Sequence, residues 1–259
     1  MVEEIDLITG TVVNSLDYKK ILMKGRKVNS QYSNFDWIHM NSVEKFEDDI
    51  IVSSNYQSAV VRNDWQGNIR CILSDPRGWT AQWKKYLLNP IGDNFEFPCN
   101  QHAAEVLPDQ DNNSDTVDIV LFDNGWSRNE VNDTPDAVEY SRMVQYRINE
   151  KDMTVEQIWE YGSDYPELFA NTRGQATILD NSNILGTFPR QTKITDDETY
   201  CDTVYLEITK DKKIVWECYA SSKRLSNIYQ EYRLERLPLY TESEKYPVLG
   251  TKVKVIEVK

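Results

Sequence analysis

A repeated β-hairpin pattern is the feature that most constrains the fold of this 259-residue chain. Each copy has a strand of alternating apolar and polar residues, a polar turn, and a second strand rich in β-branched and aromatic residues, which together are the usual signal of a hairpin. The copies span residues 4–13, 59–72, 143–159 and 204–217. Tandem hairpins with sparse helical periodicity predict an all-β protein.

Two further strands precede each of the last three hairpins. The middle strands are predicted at residues 50–54, 119–122 and 183–187, and the first strands at residues 37–41, 100–104 and 175–179. Four strands per unit, repeated at roughly 60–80 residues, are typical of the four-stranded antiparallel blades of a β-propeller. A β-sandwich is the competing all-β fold, but sandwiches seldom repeat a four-strand unit in tandem. The sequence therefore predicts a single β-propeller domain over residues 1–259.

The number of blades and the closure of the ring stay open. Three full units, a leading hairpin and trailing strands predicted around residues 231–234 and 253–256 amount to about four blades. The trailing strands could complete the leading hairpin as a fourth blade and close the ring through both termini. Alternatively, the chain is part of a larger propeller with unpaired strand edges. A short helix is predicted within residues 80–88.

Both histidines of the chain occupy equivalent positions in consecutive units. His39 lies in the first predicted strand of one unit, and His102 lies in the first predicted strand of the next. Because propeller blades share an axis, equivalent positions in neighbouring blades approach one another. Histidine is the side chain best suited to proton or group transfer near neutral pH, so the pair marks a candidate active site. A structural, hydrogen-bonded ring is the alternative for each residue.

Composition argues against several classes of function. The formal net charge of −13 repels nucleic acid and acidic membrane surfaces, so neither is expected as a partner. No apolar run reaches the roughly 18–20 residues of a membrane-spanning helix, and the acidic residues 1–6 contain no secretory signal. Four cysteines without C-x-x-C spacing and only two histidines predict no metal site. Packed thiols or a disulfide both fit these cysteines.

Several segments together carry a family resemblance. In chain order they are Asp36-Trp37-Ile38-His39-Met40-Asn41-Ser42, Ile51-Val52-Ser53-Ser54, Gly92-Asp93-Asn94-Phe95-Glu96, Gln101-His102-Ala103-Ala104, Phe122-Asp123-Asn124-Gly125 with Arg128, Tyr140-Ser141-Arg142 and Met153-Thr154-Val155-Glu156-Gln157-Ile158-Trp159-Glu160-Tyr161-Gly162. The series resembles the bacterial arylsulfate sulfotransferases, which do not use the PAPS cofactor. The match continues more weakly to about Arg233.

The resemblance implies a six-bladed propeller preceded by a small β-domain, and this chain resembles only its C-terminal propeller portion. Members of that family are usually exported, and they move a sulfuryl group from an aryl sulfate to a phenol through a sulfated histidine, without a cofactor. The expected small-molecule partners are therefore an aryl sulfate donor and a phenol acceptor, and a homodimer is one option for the assembly. If Met1 is the true start of the protein, a cytoplasmic location is expected.

One departure from the family pattern bears directly on activity. The histidine that the family sulfates lies in the unit after the strand of His102, and residues 103–259 contain no histidine. The matching strand, residues 183–190, has Thr187 and Arg190 instead. Two functions stay open: a sulfotransferase-like enzyme with another nucleophile, or a non-catalytic or truncated propeller that binds aryl sulfates and similar anions.

The site is predicted from what sulfuryl transfer requires. Charge spreads over the sulfate oxygens during transfer, so catalysis needs positioned hydrogen-bond donors and cations. His39 and His102 are predicted to bind sulfate oxygens or to shuttle a proton, and Arg128 to supply a fixed cation, which makes these three the predicted catalytic residues. The predicted substrate-binding residues are Asn41, Asn124, Thr187, Arg190, Tyr232 and Arg233. Asn41 lies two residues after His39 and is therefore expected on the same strand face.

Overall fold

The chain folds almost entirely into β-strands. The computed structural model describes residues 1–22, 26, 36–126, 128, 134, 136–193, 199–222 and 231–237. In chain order the strands are β1 (Val2–Ile5), β2 (Val12–Leu16), β3 (Met40–Phe46), β4 (Asp49–Ser54), β5 (Ala59–Asp64), β6 (Ile69–Leu73), β7 (Asn89–Ile91), β8 (His102–Val106), β9 (Thr116–Asp123), β10 (Arg142–Asn149), β11 (Thr154–Tyr161), β12 (Gln175–Ile178), β13 (Ile184–Lys193), β14 (Thr199–Ile208) and β15 (Ile214–Ser222).

Among the helices of the described residues, only short segments occur. The α-helices are α1 (Tyr18–Leu22) and α2 (Ala81–Lys84), and a 3₁₀ turn spans Pro166–Leu168. The helix expected within residues 80–88 corresponds to α2, which covers only part of that range. Within the residues that the structure describes, no helix combines the length and the apolar character needed to cross a bilayer.

Three antiparallel sheets of consecutive strands form the body of the protein. Sheet one contains β3–β6, sheet two contains β8–β11, and sheet three contains β12–β15, each with neighbours paired in chain order. The short strand β7 adds to the edge of sheet two by pairing in parallel with β11. The four predicted hairpins are confirmed as β1–β2, β5–β6, β10–β11 and β14–β15. Such four-stranded antiparallel sheets are blade-like, as the propeller prediction requires.

Neighbouring sheets pack face to face through layers of apolar side chains. Sheets one and two are joined by a layer of buried apolar side chains, among them Ile51, Val60, Leu73, Ile119, Leu121, Val144 and Tyr146. The opposite face of sheet two packs on sheet three through side chains that include Val120, Phe122, Met143, Ile184, Phe188, Val204 and Leu206. Because both faces of β9 are covered, residues 119–122 are apolar without interruption, as expected for a strand with no solvated face.

The outer face of sheet one is covered by the N-terminal hairpin and α1. Tyr18 and Leu22 of α1 are each 1% exposed and pack with Ile50, Val52 and Val61. The hydroxyl of Tyr18 donates a hydrogen bond to the amide oxygen of Asn63 in β5. The hairpin, sheet one, sheet two and sheet three therefore stack in the order of the chain.

The first strands of the three sheets adjoin one another, which determines where the site forms. Strand β8 contacts both β3 and β12. Strands β3 and β8 begin opposite the last residues of β4 and β9, as the pairs Met40–Ser54 and His102–Phe122 show, whereas β12 begins opposite Thr187, within β13. The loops that precede β3, β8 and β12 therefore meet at one end of the stack, and this end is called the site end below.

Two predicted C-terminal strands and the state of the cysteines can be compared with the structure. The prediction of a strand at residues 231–234 is wrong, because residues 231–237 pair with no strand. Side-chain hydrogen bonds hold this segment on sheet three: Thr203 donates to Glu231 at 2.5 Å, and Arg236 donates to Glu207 at 2.9 Å. The strand expected at residues 253–256 lies outside the described residues. Cys71, Cys99 and Cys218 are free thiols, which excludes a disulfide for these three cysteines.

Candidate active site

His102 is the buried centre of the site end. It is the first residue of β8 and is 4% exposed. Its Nδ1 lies 2.7 Å from Oδ1 of Asn124, and the Nδ2 group of Asn124 donates to the carbonyl oxygens of Ala170 and Arg173 at 2.7 and 2.8 Å. Because those carbonyls can only accept, they fix the orientation of the amide, and its oxygen must accept from Nδ1–H. The lone pair of the neutral ring therefore resides on Nε2.

Burial keeps this imidazole neutral. Desolvation lowers the pKa of His102 from 6.5 to about 4, partly opposed by the hydrogen bond to Asn124 and reinforced by the positive charges of His39 and Arg173. At neutral pH, His102 consequently offers a lone pair and not a proton. Asn55 lies between the two histidine residues: its backbone N–H donates to the carbonyl oxygen of His39 at 3.0 Å, and its Nδ2 lies 3.5 Å from His102 Nδ1.

His39 lies just before β3 and not within it, so the prediction that it sits on a strand is wrong. Its φ of +44° is left-handed, and the pairing of β3 with β4 is interrupted by a bulge between Met40 and Ser42. The carboxylate of Asp36 accepts from His39 Nδ1 at 3.0 Å, and the half-exposed ring lies 4.6 Å from the ring of Tyr56. Asp36 thus orients an imidazole whose other nitrogen faces away from the carboxylate.

Asn41 joins two sheets and does not share a strand face with His39. Its Nδ2 group donates to the carbonyl oxygen of Gln101, immediately before His102, at 2.7 Å. The nearby Asn55 makes a similar bond from sheet one, to the carbonyl of Asn100 at 2.6 Å. The sequence-based placement fails because the bulge changes the alternation after His39. Both amides instead hold the start of β8 against sheet one.

Tyr232 lies beside His102. The two rings are 5.8 Å apart in an edge-on arrangement, and the tyrosine remains 38% exposed. Burial raises the pKa of the Tyr232 hydroxyl, while the positive charges of Arg173 and Arg233 act in the opposite direction. Arg233 itself points to solvent and pairs with Glu235 at 2.9 Å. His39, His102, Asn124 and Tyr232 form the group that we call the histidine cluster.

Arg128 lies at the same end of the stack but in a different environment. The buried guanidinium pairs with Asp123 at 2.5 Å and with Glu96 at 3.5 Å, and it lies 4.2 Å from the centre of the Tyr140 ring. Arg142 shares both carboxylates, at 2.9 and 3.3 Å. Two guanidinium groups are thus matched by two carboxylates, so the charge of Arg128 is largely compensated within the protein.

Arg128 also lines a cavity of about 550 Å³. Other lining residues are Ser58, Phe95, Glu96, Phe97 and Cys99, and neither histidine is among them. Nη1 of Arg128 is buried and has no hydrogen-bond acceptor among the described residues. Burial raises the pKa of the Cys99 thiol to about 11, so this cavity holds no thiolate at neutral pH.

The two residues predicted in the third sheet lie on β13. Thr187 is 1% exposed and sits opposite Gln175, at the start of β12. Arg190 donates to the carbonyl oxygen of Glu167 at 3.0 Å. Thr187 therefore lies near the site end. The hydrogen-bond partner of Arg190 belongs to the loop before β12 and not to the histidine cluster.

Sequence reasoning missed Arg173. It lies two residues before β12, and its carbonyl oxygen accepts a hydrogen bond from Asn124 at 2.8 Å. Its position in a loop outside the repeated strands is not marked by any pattern in the sequence. Within the described parts of the chain, no group of three or more histidine, cysteine or acidic side chains is arranged to hold a metal ion.

Comparison with known proteins adds the evolutionary relationship. The family model described as Arylsulfotransferase (ASST) matches residues 1–233. The arylsulfate sulfotransferase AssT of Escherichia coli O6:H1 is 31% identical over 147 residues, which cover 50% of this chain and 23% of the relative. The arylsulfate sulfotransferase AssT of Lelliottia amnigena is 27% identical over 146 residues, with the same two coverages, 50% and 23%. The matched region thus spans about a quarter of the length of these curated relatives. Because the family model covers most of the sequence, this chain belongs to the arylsulfotransferase family.

Proposed function

We propose that this protein transfers a sulfuryl group from an aryl sulfate to a phenolic acceptor, and that the reaction takes place at the histidine cluster. Two features support the proposal: the membership of the chain in the arylsulfotransferase family, and the approach of one buried and one half-exposed imidazole at one end of the stacked sheets. The second feature carries the mechanism, because transfer between two aryl oxygens needs one group that gives a proton and one that takes a proton.

The two imidazoles suit these opposite tasks. His39, whose Nδ1 is held 3.0 Å from the carboxylate of Asp36, is assigned the role of general acid. It gives a proton to the aryl oxygen as the S–O bond of the donor breaks. His102 is neutral, and its Nε2 lone pair takes the proton of the phenolic hydroxyl that attacks the sulfur. Tyr56 and Tyr232 lie beside the two imidazoles and offer aromatic surface to a flat aryl group.

Two routes are consistent with this assignment. In the direct route, donor and acceptor bind together and the phenol attacks the sulfate. In the two-step route, Nε2 of His102 forms a bond to sulfur as the S–O bond of the donor breaks, and the departing aryl oxygen takes a proton from His39. The phenolic oxygen then attacks sulfur, the N–S bond breaks, and the phenolic proton passes to His39. Initial-rate kinetics distinguish the two routes, since a covalent intermediate gives parallel double-reciprocal lines and direct transfer gives intersecting lines.

The remaining predicted residues have supporting roles in the proposal. Asn124 fixes the tautomer of His102, and Asn41 positions the start of β8. Arg128 can offer Nη1 to a ligand oxygen in the neighbouring cavity. The other three proposed contacts to the substrate are Thr187, Arg190 and Arg233.

Turnover of a chromogenic aryl sulfate with phenol as acceptor tests the function. We expect H102A to abolish turnover, and H102Q to do the same with less disturbance of packing. R128A should reduce turnover, whereas R70Q, which removes a half-exposed arginine from β6, should leave it unchanged. Folded wild-type protein without turnover above buffer between about pH 6 and 9 would refute the enzymatic proposal.

Anion binding without catalysis is the second candidate function. The observation that favours it is the absence of histidine from residues 103–259, where family members carry the residue that is sulfated. In that case calorimetry should detect binding of an aryl sulfate, while neither phenol transfer nor release of the aryl product occurs. Turnover that is lost in H102Q would rule this candidate out.

A further inference from the structure

We propose that Ser141 is a positioning residue for the reaction at the histidine cluster: its hydroxyl holds Asn124 in the orientation that leaves the lone pair of His102 on Nε2. This inference rests on the proposed function, and it adds a residue that is in contact with neither the imidazole nor a substrate. Ser141 acts through Asn124 and through the loop that contains Ala170.

Ser141 lies directly before β10, at a point where the chain is packed on two sides. It is fully buried. On one side lies Gly125, which follows Asn124, and a Cβ added to this glycine would collide with the carbonyl oxygen of Tyr140. On the other side lies Gly162, where an added Cβ would collide with the carbonyl oxygen of Ser141 itself. Glycine permits both close approaches of main chain to main chain, so the short serine side chain reaches backbone groups of neighbouring turns.

The hydroxyl of Ser141 connects the backbone of Asn124 with that of Ala170. It accepts from the N–H of Ala170 at 2.8 Å and donates to the carbonyl oxygen of Asn124 at 2.7 Å. The carbonyl oxygen of Ala170 lies 3.1 Å from the same hydroxyl and accepts from the side-chain amide of Asn124 at 2.7 Å. One hydroxyl thus fixes the main chain of Asn124 and also the acceptor that orients its side chain.

The orientation of the Asn124 amide decides which nitrogen of His102 carries the proton. With the amide nitrogen on the carbonyls of Ala170 and Arg173, the amide oxygen faces His102 Nδ1 at 2.7 Å and accepts its proton. If the carbonyl of Ala170 moves away, the amide loses one of the two acceptors that fix it, and a flipped amide presents N–H groups to Nδ1. The proton of the neutral ring then resides on Nε2, where it blocks the lone pair that the proposed reaction uses.

Ser74 provides a matched control for the loss of a buried serine hydroxyl. It lies directly after β6 and is as fully buried as Ser141. Its hydroxyl donates to the carbonyl oxygen of Ser58 at 2.9 Å and accepts from Nε1 of Trp79 at 3.2 Å. S74A therefore removes hydrogen bonds of the same kind from sheet one, while the bonds of Asn124 stay in place.

The test determines the tautomer of His102 in the intact chain by ¹⁵N NMR at about pH 7.5, where the buried ring is neutral. His39 is the only other histidine in the sequence, so the spectrum of H39Q assigns the signals. We expect the wild type and S74A to carry the proton on Nδ1. In S141A a large fraction of the His102 rings should carry it on Nε2.

Kinetics separate positioning from a general loss of stability. S141A should lower kcat about tenfold or more and change KM by less than about threefold, because the serine touches no substrate. The double variant S141A/N124A should be no slower than N124A, because the effect of Ser141 passes through Asn124 and the two losses do not add. S141C keeps a similar volume with a weaker hydrogen-bonding group, so it should fall between the wild type and S141A, and it replaces S141A if that variant does not fold.

The outcomes distinguish the role of Ser141 from the proposed function. Folded S141A or S141C with the wild-type tautomer and the wild-type kcat overturns the role of Ser141 and leaves the proposed function intact. A wild type whose His102 carries its proton on Nε2 also overturns that role. If the tautomer shifts in S141A but the wild type shows no turnover, the positioning of His102 is supported and only the enzymatic proposal is refuted.

Discussion

The imidazole of His102 couples the stability of the fold to pH. Its pKa is about 4 in the folded protein, against 6.5 for an unperturbed ring. Between these values the unfolded chain binds a proton that the folded chain does not bind, so the free energy of unfolding falls as the pH decreases through this window. We expect a loss on the order of 3 kcal/mol from this residue, fully developed near pH 4 and absent above about pH 7. Urea denaturation at several pH values measures it.

Comparison with H102Q isolates this contribution from that of the carboxylates, which titrate in the same range. The variant should show a flatter dependence of unfolding free energy on pH than the wild type. Equal slopes for H102Q and the wild type would mean that His102 is not buried as a neutral ring.

At the same scale, sequence reasoning could predict residue types better than their environments. The repeat pointed to His39 and His102, and Asn55 contacts both residues in the structure. The sequence could not predict that Arg128 is compensated, because the carboxylate of Glu96 comes from a loop 32 positions away in the chain and meets the guanidinium only in the folded state.

Among the elements, the contact between sheets two and three is the most informative to perturb. Phe188 of β13 is fully buried and meets Phe122 of β9 edge-on at 5.0 Å. Removing its ring leaves a cavity between two sheets that cannot collapse freely, so F188A should lower the free energy of unfolding by about 3–5 kcal/mol. Y219A, which truncates a 63% exposed ring on β15 of the same sheet, should change it by less than about 0.5 kcal/mol. Urea denaturation of both variants provides the comparison, and similar values would contradict the packing of sheet three on sheet two.

The alternation of apolar residues made the elements predictable, whereas the irregularities between them were not. Hairpins such as β10–β11 carry a period-two pattern on both strands, which is a local signal. The bulges near Met40 and between His102 and Glu105 depend on the pairing of β3 with β4 and of β8 with β9, so no local sequence pattern predicts them. They matter because they determine which way the side chains at the site end point.

Across the whole molecule, burial is uneven along the stack. Sheet two is covered on both faces, and Ile119, Leu121, Val144 and Tyr146 in its central strands are fully buried. By contrast, β15 is the last strand of sheet three, and Ile214, Val215 and Trp216 are 46%, 54% and 43% exposed. The N-terminal hairpin is a sheet of only two strands, with Val12 and Val13 more than half exposed. The extension of this stack into one closed propeller domain stays a prediction.

This gradient predicts an order of hydrogen exchange. Backbone amides exchange when local opening exposes them, and opening costs most where strands are paired on both sides and covered on both faces. Peptides from β9 and β10 should therefore exchange most slowly. Peptides from β1, β2 and β15, which lie at sheet edges, should exchange roughly tenfold faster or more. Hydrogen-exchange mass spectrometry of the native protein measures this order directly. Equal protection of β15 and β10 would contradict this order and would mean that the outer edge of β15 is covered in solution, for example by a second copy of the chain. In that case, dilution of the protein should accelerate exchange in β15 alone.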